Sequence, residues 1–172
     1  MIVAGSAVAA TVLANELVFA PVRVESVSMA PTLLSGEVVG VWKLGAISRG
    51  DVVELDSTGY LATAPGAPTE VIKRVVGVGG DRVSCCVDGA IWVNGERQAE
   101  VYLAPDVVNE VAFDVEVPAH TLWVLGDHRQ ESLDSRSGLG RPGGGFIPEK
   151  EVAGKVVAVV WPPSQARTVT GS

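Results

Sequence analysis

Short valine-rich runs closed by turn dipeptides recur along most of this chain, and that alternation restricts it to a β architecture. β-branched residues suit the pleated, half-buried surface of a sheet, and 32 of the 172 residues are valine. Runs fit for strands cover Val38–Trp42, Val52–Leu55, Val71–Val78, Val83–Val87, Ala90–Val93, Val111–Val117, Thr121–Leu125 and Lys155–Trp161. Between them stand Ser35-Gly36, Arg49-Gly50, Gly79-Gly80, Asp88-Gly89 and Asn94-Gly95. Asp-Gly and Asn-Gly favour two-residue hairpins, because both central positions of a type I′ turn need positive φ. Cys85–Val93 and the strand after Asn94-Gly95 are therefore expected to form a meander. Thr58–Thr69 and Gly138–Gly145 read as loops, and Pro148–Glu151 as a short helical turn. The predicted fold class is all-β, with antiparallel sheets preceded by an N-terminal apolar helix.

That helix is expected from a different pattern. Met1–Ala14 is an unbroken run of apolar and small residues, and Leu17–Val22 resumes it after Asn15 and Glu16. About 20 mostly apolar residues are needed to span a bilayer. Residues 1–20 are accordingly assigned to a transmembrane anchor and residues 21–172 to a β-rich domain. A buried helix or β segment is the competing reading. A cleaved signal peptide fits poorly, because no Lys or Arg precedes the run; a basic flank upstream of Met1 would explain that absence. The small residues Gly5 and Ser6 and the nearby alanines suit close helix packing.

Charge and cysteine usage exclude further classes. Thirteen Lys and Arg against 20 Asp and Glu leave a formal charge of −7, so the phosphate-neutralising patch of a nucleic-acid binder is not expected. The adjacent Cys85 and Cys86 are too few to hold a metal. In a strand they would point to opposite faces, giving one buried and one exposed thiol; in an oxidising compartment a disulfide between them is the alternative.

Chemistry-bearing residues fall in three separated clusters. The first, Ser26-Val27-Ser28-Met29-Ala30-Pro31-Thr32-Leu33, places two serines beside a turn set by proline. The second, Lys73 to Asp81, sets a lysine inside an apolar strand. Alone it would read as a snorkelling surface side chain. The third, Gly126 to Arg136, is densely polar and follows the apolar Leu122–Leu125. Each cluster taken singly is compatible with an ordinary turn or solvated face.

Taken in order, the clusters resemble the motifs of bacterial type I (leader) signal peptidases, the Ser/Lys membrane proteases. The pattern S-x-S-M-x-P-T-L falls at Ser26–Leu33, G-D-x-V at Gly50–Val53, K-R-V-x-G-x-x-G-D at Lys73–Asp81, and G-D-x-x-x-x-S-x-D-S-R at Gly126–Arg136. Gly145–Glu149 and Val152–Lys155 continue the series, so the likeness runs from about Pro21 to Trp161. The Cys-Cys pair and the closing Val159-Val160-Trp161-Pro162-Pro163 are similar to actinobacterial members. The resemblance implies Ser28 as nucleophile, Lys73 as general base and Ser132 as the group orienting Lys73. It implies the Ser26 hydroxyl and the Ser28 N–H as the oxyanion hole. Arg74, Asp127, Asp134 and Arg136 are implied to brace the Ser132 loop, and Met29 to wall the substrate pocket. A serine hydroxyl needs such a base, and a lysine can serve only when neutral. Its pKa must then fall by about two or three units from about 10.4, which burial among Val71, Ile72, Val75 and Val76 can achieve. An alkaline optimum is expected.

Two positions depart from the family pattern: His128 and Glu131 stand where asparagine is common. A Ser28–His128–Asp127 triad is disfavoured, because adjacent residues of an extended loop point apart and Lys73 would be idle. His120, after Pro118-Ala119, is expected at a surface turn. The implied activity is cleavage of exported preproteins after small residues in an A-x-A pattern, through an acyl-enzyme, with no metal or organic cofactor. Exported preproteins and the lipid bilayer are the implied partners. The enzyme is expected to act as a monomer, single-pass in the cytoplasmic membrane. A maturation protease of the same superfamily and a self-cleaving repressor-like domain are weaker fits; the latter lacks both a DNA-binding helical domain and an evident cleavage loop. A non-catalytic binding domain would leave Ser28, Lys73 and Ser132 unexplained.

Overall fold

The computed structural model describes residues 18–61, 66 and 68–171. Strands are β1 (Phe19–Arg23), β2 (Val38–Trp42), β3 (Val52–Asp56), β4 (Glu70–Val78), β5 (Arg82–Cys85), β6 (Trp92–Val93), β7 (Glu96–Arg97), β8 (Phe113–Glu116), β9 (Thr121–Leu125), β10 (Ile147–Pro148), β11 (Val152–Trp161) and β12 (Arg167–Thr168). The remaining regular elements among the described residues are short 3-10 turns. The expected all-β class holds. The predicted N-terminal helix lies outside the described residues, among which no helix is long and apolar enough to cross a membrane.

The larger sheet runs β1-β2-β11-β3-β4-β9-β10, with β12 also on β11, and the smaller runs β7-β6-β5-β8. Pairing is antiparallel throughout. Side chains alternate across a strand, and β3 and β4 follow that rule. Val53, Leu55 and Val75 pack with Leu122, Val124 and Ile147 on one face. Val52 and Ile72 join Val39, Val41, Met29 and Leu33 on the other. A third cluster links the sheets through Trp123, whose ring lies 5.2 Å from Phe113 and 5.3 Å from Phe146.

Val38–Trp42 and Thr121–Leu125 form strands over the ranges expected. Asn94 and Gly95 both adopt positive φ, 53° and 82°, and Val93 pairs with Glu96 across them. His120 lies at an exposed turn, and Glu149–Glu151 makes the expected short helical turn. Three features differ. The strand expected over Val83–Val87 stops at Cys85, because Cys85 and Cys86 are joined in a disulfide. Both cysteines are therefore oxidised rather than free thiols. Asp88-Gly89 belongs to a 3-10 turn instead of a hairpin, which shortens Ala90–Val93 to two paired residues. Finally, β1 begins at Phe19 and pairs with β2 from Trp42 to Val38. The alternation of β1 was hidden at the tail of the apolar run.

Gly77 shows how tightly the two sheets meet. A Cβ at this position would lie 2.5 Å from Val83 Cγ2 and 3.1 Å from Val117 Cγ2. Gly77→Ala is expected to destabilise the domain by about 1–3 kcal/mol through overpacking, read as a lower urea midpoint.

Candidate active site

The segment between β1 and β2 is a closed loop. At its base the Val24 N–H donates to the Glu37 carbonyl and the Gly36 N–H to the Val24 carbonyl, both at 2.8 Å. Inside it, the Leu33 N–H donates to the Met29 carbonyl at 2.9 Å, making a tight turn. Met29 and Leu33 are fully buried in the core under β2 and β11. These two apolar anchors hold Ser28 at the start of the turn, 5% exposed.

Lys73 comes from β4. Its strand pairs with β3 over Glu70–Arg74, but with β9 only from Arg74 onward. The other edge of Glu70–Lys73 is thus open, and the Ser28 loop faces it. Lys73 is 3% exposed, and its Nζ donates to Ser28 Oγ and to the Ile72 carbonyl, both at 2.9 Å. Burial disfavours the ammonium and lowers its pKa to about 8, against the opposing pull of Asp134 and Asp127. Ser26 Oγ lies 3.1 Å from Ser28 Oγ. A hydroxyl beside a desolvated amine in this geometry can be deprotonated and attack a carbonyl.

The pair opens into a cleft of about 430 Å³. Its apolar walls include Met29, Val71, Ile72 and Leu61, and Glu54, Glu70 and Glu131 lie along it.

The sequence-predicted supporting residues form two buried pairs. Arg74 donates from Nε and Nη2 to the two oxygens of Asp127, at 2.9 and 2.7 Å. Asp127 also accepts from Thr32 Oγ1 at 2.5 Å, which ties it to the Ser28 turn. Asp134 accepts from the Gly126 N–H at 3.0 Å and from Arg136 Nε at 2.8 Å. Arg136 reaches on to the Arg129 carbonyl at 2.7 Å. Together these bonds close the loop 126–136 on itself.

Ser132 lies in that loop, but the hydrogen bond to Lys73 that its expected role requires is not made. The Lys73 amine is engaged by Ser28 and Ile72, and Ser132 Oγ is buried with no partner. Its place is set by Gly126: a Cβ there would lie 2.2 Å from Ser132 Oγ and 2.6 Å from the Ser28 carbonyl oxygen. Only a glycine lets the two serine segments approach so closely. A His128 triad does not form. The His128 backbone N–H bonds the Ser28 carbonyl at 3.0 Å, its ring Nδ1 has no partner, and Asp127 is committed to Arg74 and Thr32.

Sequence reasoning missed a second layer. Arg129 is buried and donates from Nε to the Gly126 carbonyl at 2.9 Å. It also pairs with Glu100 at 2.6 Å and donates to Asn109. Tyr102 lies under the Arg74 guanidinium, 3.9 Å from ring centroid to Cζ. Glu100, Tyr102 and Asn109 sit in the long connection between β7 and β8, where no motif or periodicity distinguishes them from solvated loop residues.

The family model described as Signal peptidase, peptidase S26 matches residues 1–161. Signal peptidase I of Bacillus licheniformis is 33% identical over 174 residues, covering 94% of this chain and 87% of that protein. Signal peptidase I S of Bacillus subtilis (strain 168) is 33% identical over 175 residues, with the same coverage of 94% and 87%. A probable signal peptidase I of Mycobacterium leprae is 37% identical over 128 residues, which is 62% of this chain but only 44% of that longer protein.

Truncating one partner of a buried ion pair strands the other charge. Asp127→Ala should therefore cost about 3–5 kcal/mol in urea unfolding, far more than removal of an exposed carboxylate.

Proposed function

This chain belongs to the signal peptidase S26 family, and from that membership we propose that it cleaves exported preproteins after small A-x-A residues with a Ser28/Lys73 dyad. It is a hydrolase that removes signal peptides, and preproteins are its substrates. The observation that carries the dyad is the 2.9 Å approach of Lys73 Nζ to Ser28 Oγ within an apolar surround.

In the acylation step the Ser28 hydroxyl gives its proton to the neutral Lys73 amine as Oγ bonds the scissile carbonyl carbon. The carbonyl electron pair moves onto oxygen, where the Ser26 hydroxyl and the Ser28 N–H donate to it. Collapse breaks the C–N bond, and the Lys73 ammonium returns its proton to the departing amine of the mature chain. Water then attacks the Ser28 ester as Lys73 takes its proton; collapse breaks the C–Oγ bond and releases the new carboxyl terminus, and Lys73 returns the proton to Ser28 Oγ. Ser132 is assigned the orienting role: its buried, unpaired hydroxyl lies near the Ser28 main chain, and together with the Ile72 carbonyl it would steady Lys73 once Ser28 is acylated. Arg74, Asp127, Asp134 and Arg136 keep the two loops in place.

The substrate binds extended. The open edge of β4 at Glu70–Lys73 suits main-chain pairing independent of sequence, and Met29, Val71 and Ile72 wall shallow sites for small side chains. The enzyme works as a monomer on the outer side of the cytoplasmic membrane, held by the apolar segment that precedes β1.

Cleavage of a preprotein in detergent tests the dyad. Ser28→Ala and Lys73→Ala should each lower kcat by at least about a thousandfold, and Ser26→Ala by roughly a hundredfold; normal processing by either dyad variant would exclude the mechanism. Because the active amine is the neutral form and its pKa is lowered to about 8, kcat/KM should rise with pH through about 8. A profile flat from about pH 6 to 9 would contradict a lysine base.

A further inference from the structure

The last strand, β12, lies beyond the matched residues 1–161, yet it reaches the Ser28 turn. Arg167 donates from Nη1 to Glu37 Oε1 at 2.7 Å and from Nη2 to Glu37 Oε2 at 3.0 Å. The same Nη2 donates to the Thr32 carbonyl at 2.7 Å. Glu37 is 2% exposed, and its Oε2 accepts the Leu34 N–H at 2.9 Å. One guanidinium therefore grips the chain at two points after Ser28: the carbonyl of Thr32 near the end of the turn and the carboxylate of Glu37 at the base of the loop. An unpaired carboxylate at that depth would be costly, and Arg167 is the cation that offsets it. The hold reaches further, because the hydroxyl of Thr32 bonds Asp127, whose other partner Arg74 adjoins Lys73. β12 itself is fixed by pairing with β11 at Ala158 and Val159 and by Val169 packing on the core.

We infer that Arg167 is a positioning residue: by clasping Glu37 and the Thr32 carbonyl it holds the turn so that Ser28 Oγ meets Lys73 Nζ. The inference rests on the Ser28/Lys73 reading above. Arg167 does not line the substrate cleft, so its effect belongs to the chemical step and not to binding. A nucleophile displaced by about an ångström costs on the order of a hundredfold in rate.

The test uses the full chain in detergent with a preprotein bearing an A-x-A site. Wild type, Arg167→Ala, Arg167→Lys, Glu37→Gln and Ser28→Ala are compared well below their melting temperatures. Arg167→Ala is expected to lower kcat about ten- to a hundredfold with KM within about twofold. Arg167→Lys, which keeps a cation but loses the bidentate fork, should recover part of kcat. Glu37→Gln should fall between wild type and Arg167→Ala. Should Arg167→Ala fail to fold, Arg167→Lys and Glu37→Gln carry the comparison. A kcat equal to wild type in the folded variants, or a loss no larger than the unfolded fraction measured by circular dichroism, overturns the inference. A rise in KM alone overturns it too, since that would place Arg167 in substrate binding. Retained cleavage by Ser28→Ala would instead remove the dyad reading, which keeps the two failures distinct.

Discussion

A lysine can lose its proton near neutrality only where water is kept away and no bare anion stands beside it. Both conditions shape this protein around Lys73. The first is met by β4, which packs Val71, Val75 and Val78 into one apolar cluster and Ile72 into another. The second is harder, because Asp127 and Asp134 lie close enough to favour the ammonium. Each is covered by its own partners: Asp127 by Arg74 and Thr32, Asp134 by Arg136 and the Gly126 N–H. A carboxylate stripped of its cation would attract the proton back to Lys73. Those ion pairs thus act twice, bracing the loops and muting the charges that would otherwise favour the Lys73 ammonium. Desolvation outweighs what remains, and the amine stays below the ordinary lysine range.

The strands were readable in the sequence where the local signal is backbone chemistry or alternation. Asn94-Gly95 demands positive φ at both positions, and the chain complies. Lys73 between Ile72 and Val75 stood out because a charge in an apolar strand needs a reason. Pairs made over long separations left no such trace. Glu100 looked like any loop acid until Arg129 was seen beside it, and Arg167 is 130 residues from Glu37. The Cys85–Cys86 disulfide lay among the open alternatives, because adjacency alone permits either a bonded pair or two thiols on opposite faces. Ser132 marks another boundary: its motif fixed its neighbourhood, but the partner of its hydroxyl depends on tenths of an ångström that spacing does not encode.

Three segments distant in the chain must be held against one another for Ser28 to face Lys73. The Ser28 loop leaves β1, the lysine sits on β4, and the supporting loop follows β9. The sheet fixes β4 and β9 directly, since they pair from Arg74 to Val78. The loop of Ser28 has no such ladder, and it depends on side chains instead. Thr32 is the junction: its hydroxyl is bound to Asp127 and its carbonyl to Arg167. The first bond couples the turn, through Asp127 and Arg74, to the strand that carries Lys73, and the second couples it, through β12, to β11 of the same sheet. Met29 and Leu33 press it down from between. Ordering a turn of this length opposes roughly 1–2 kcal/mol of backbone entropy per residue, which no single hydrogen bond matches. Several bonds converging on Thr32 and Glu37, over a buried methionine and leucine, can. The placing of Ser28 Oγ against Lys73 Nζ is therefore a property of the sheet as a whole, delivered to Ser28 through one threonine.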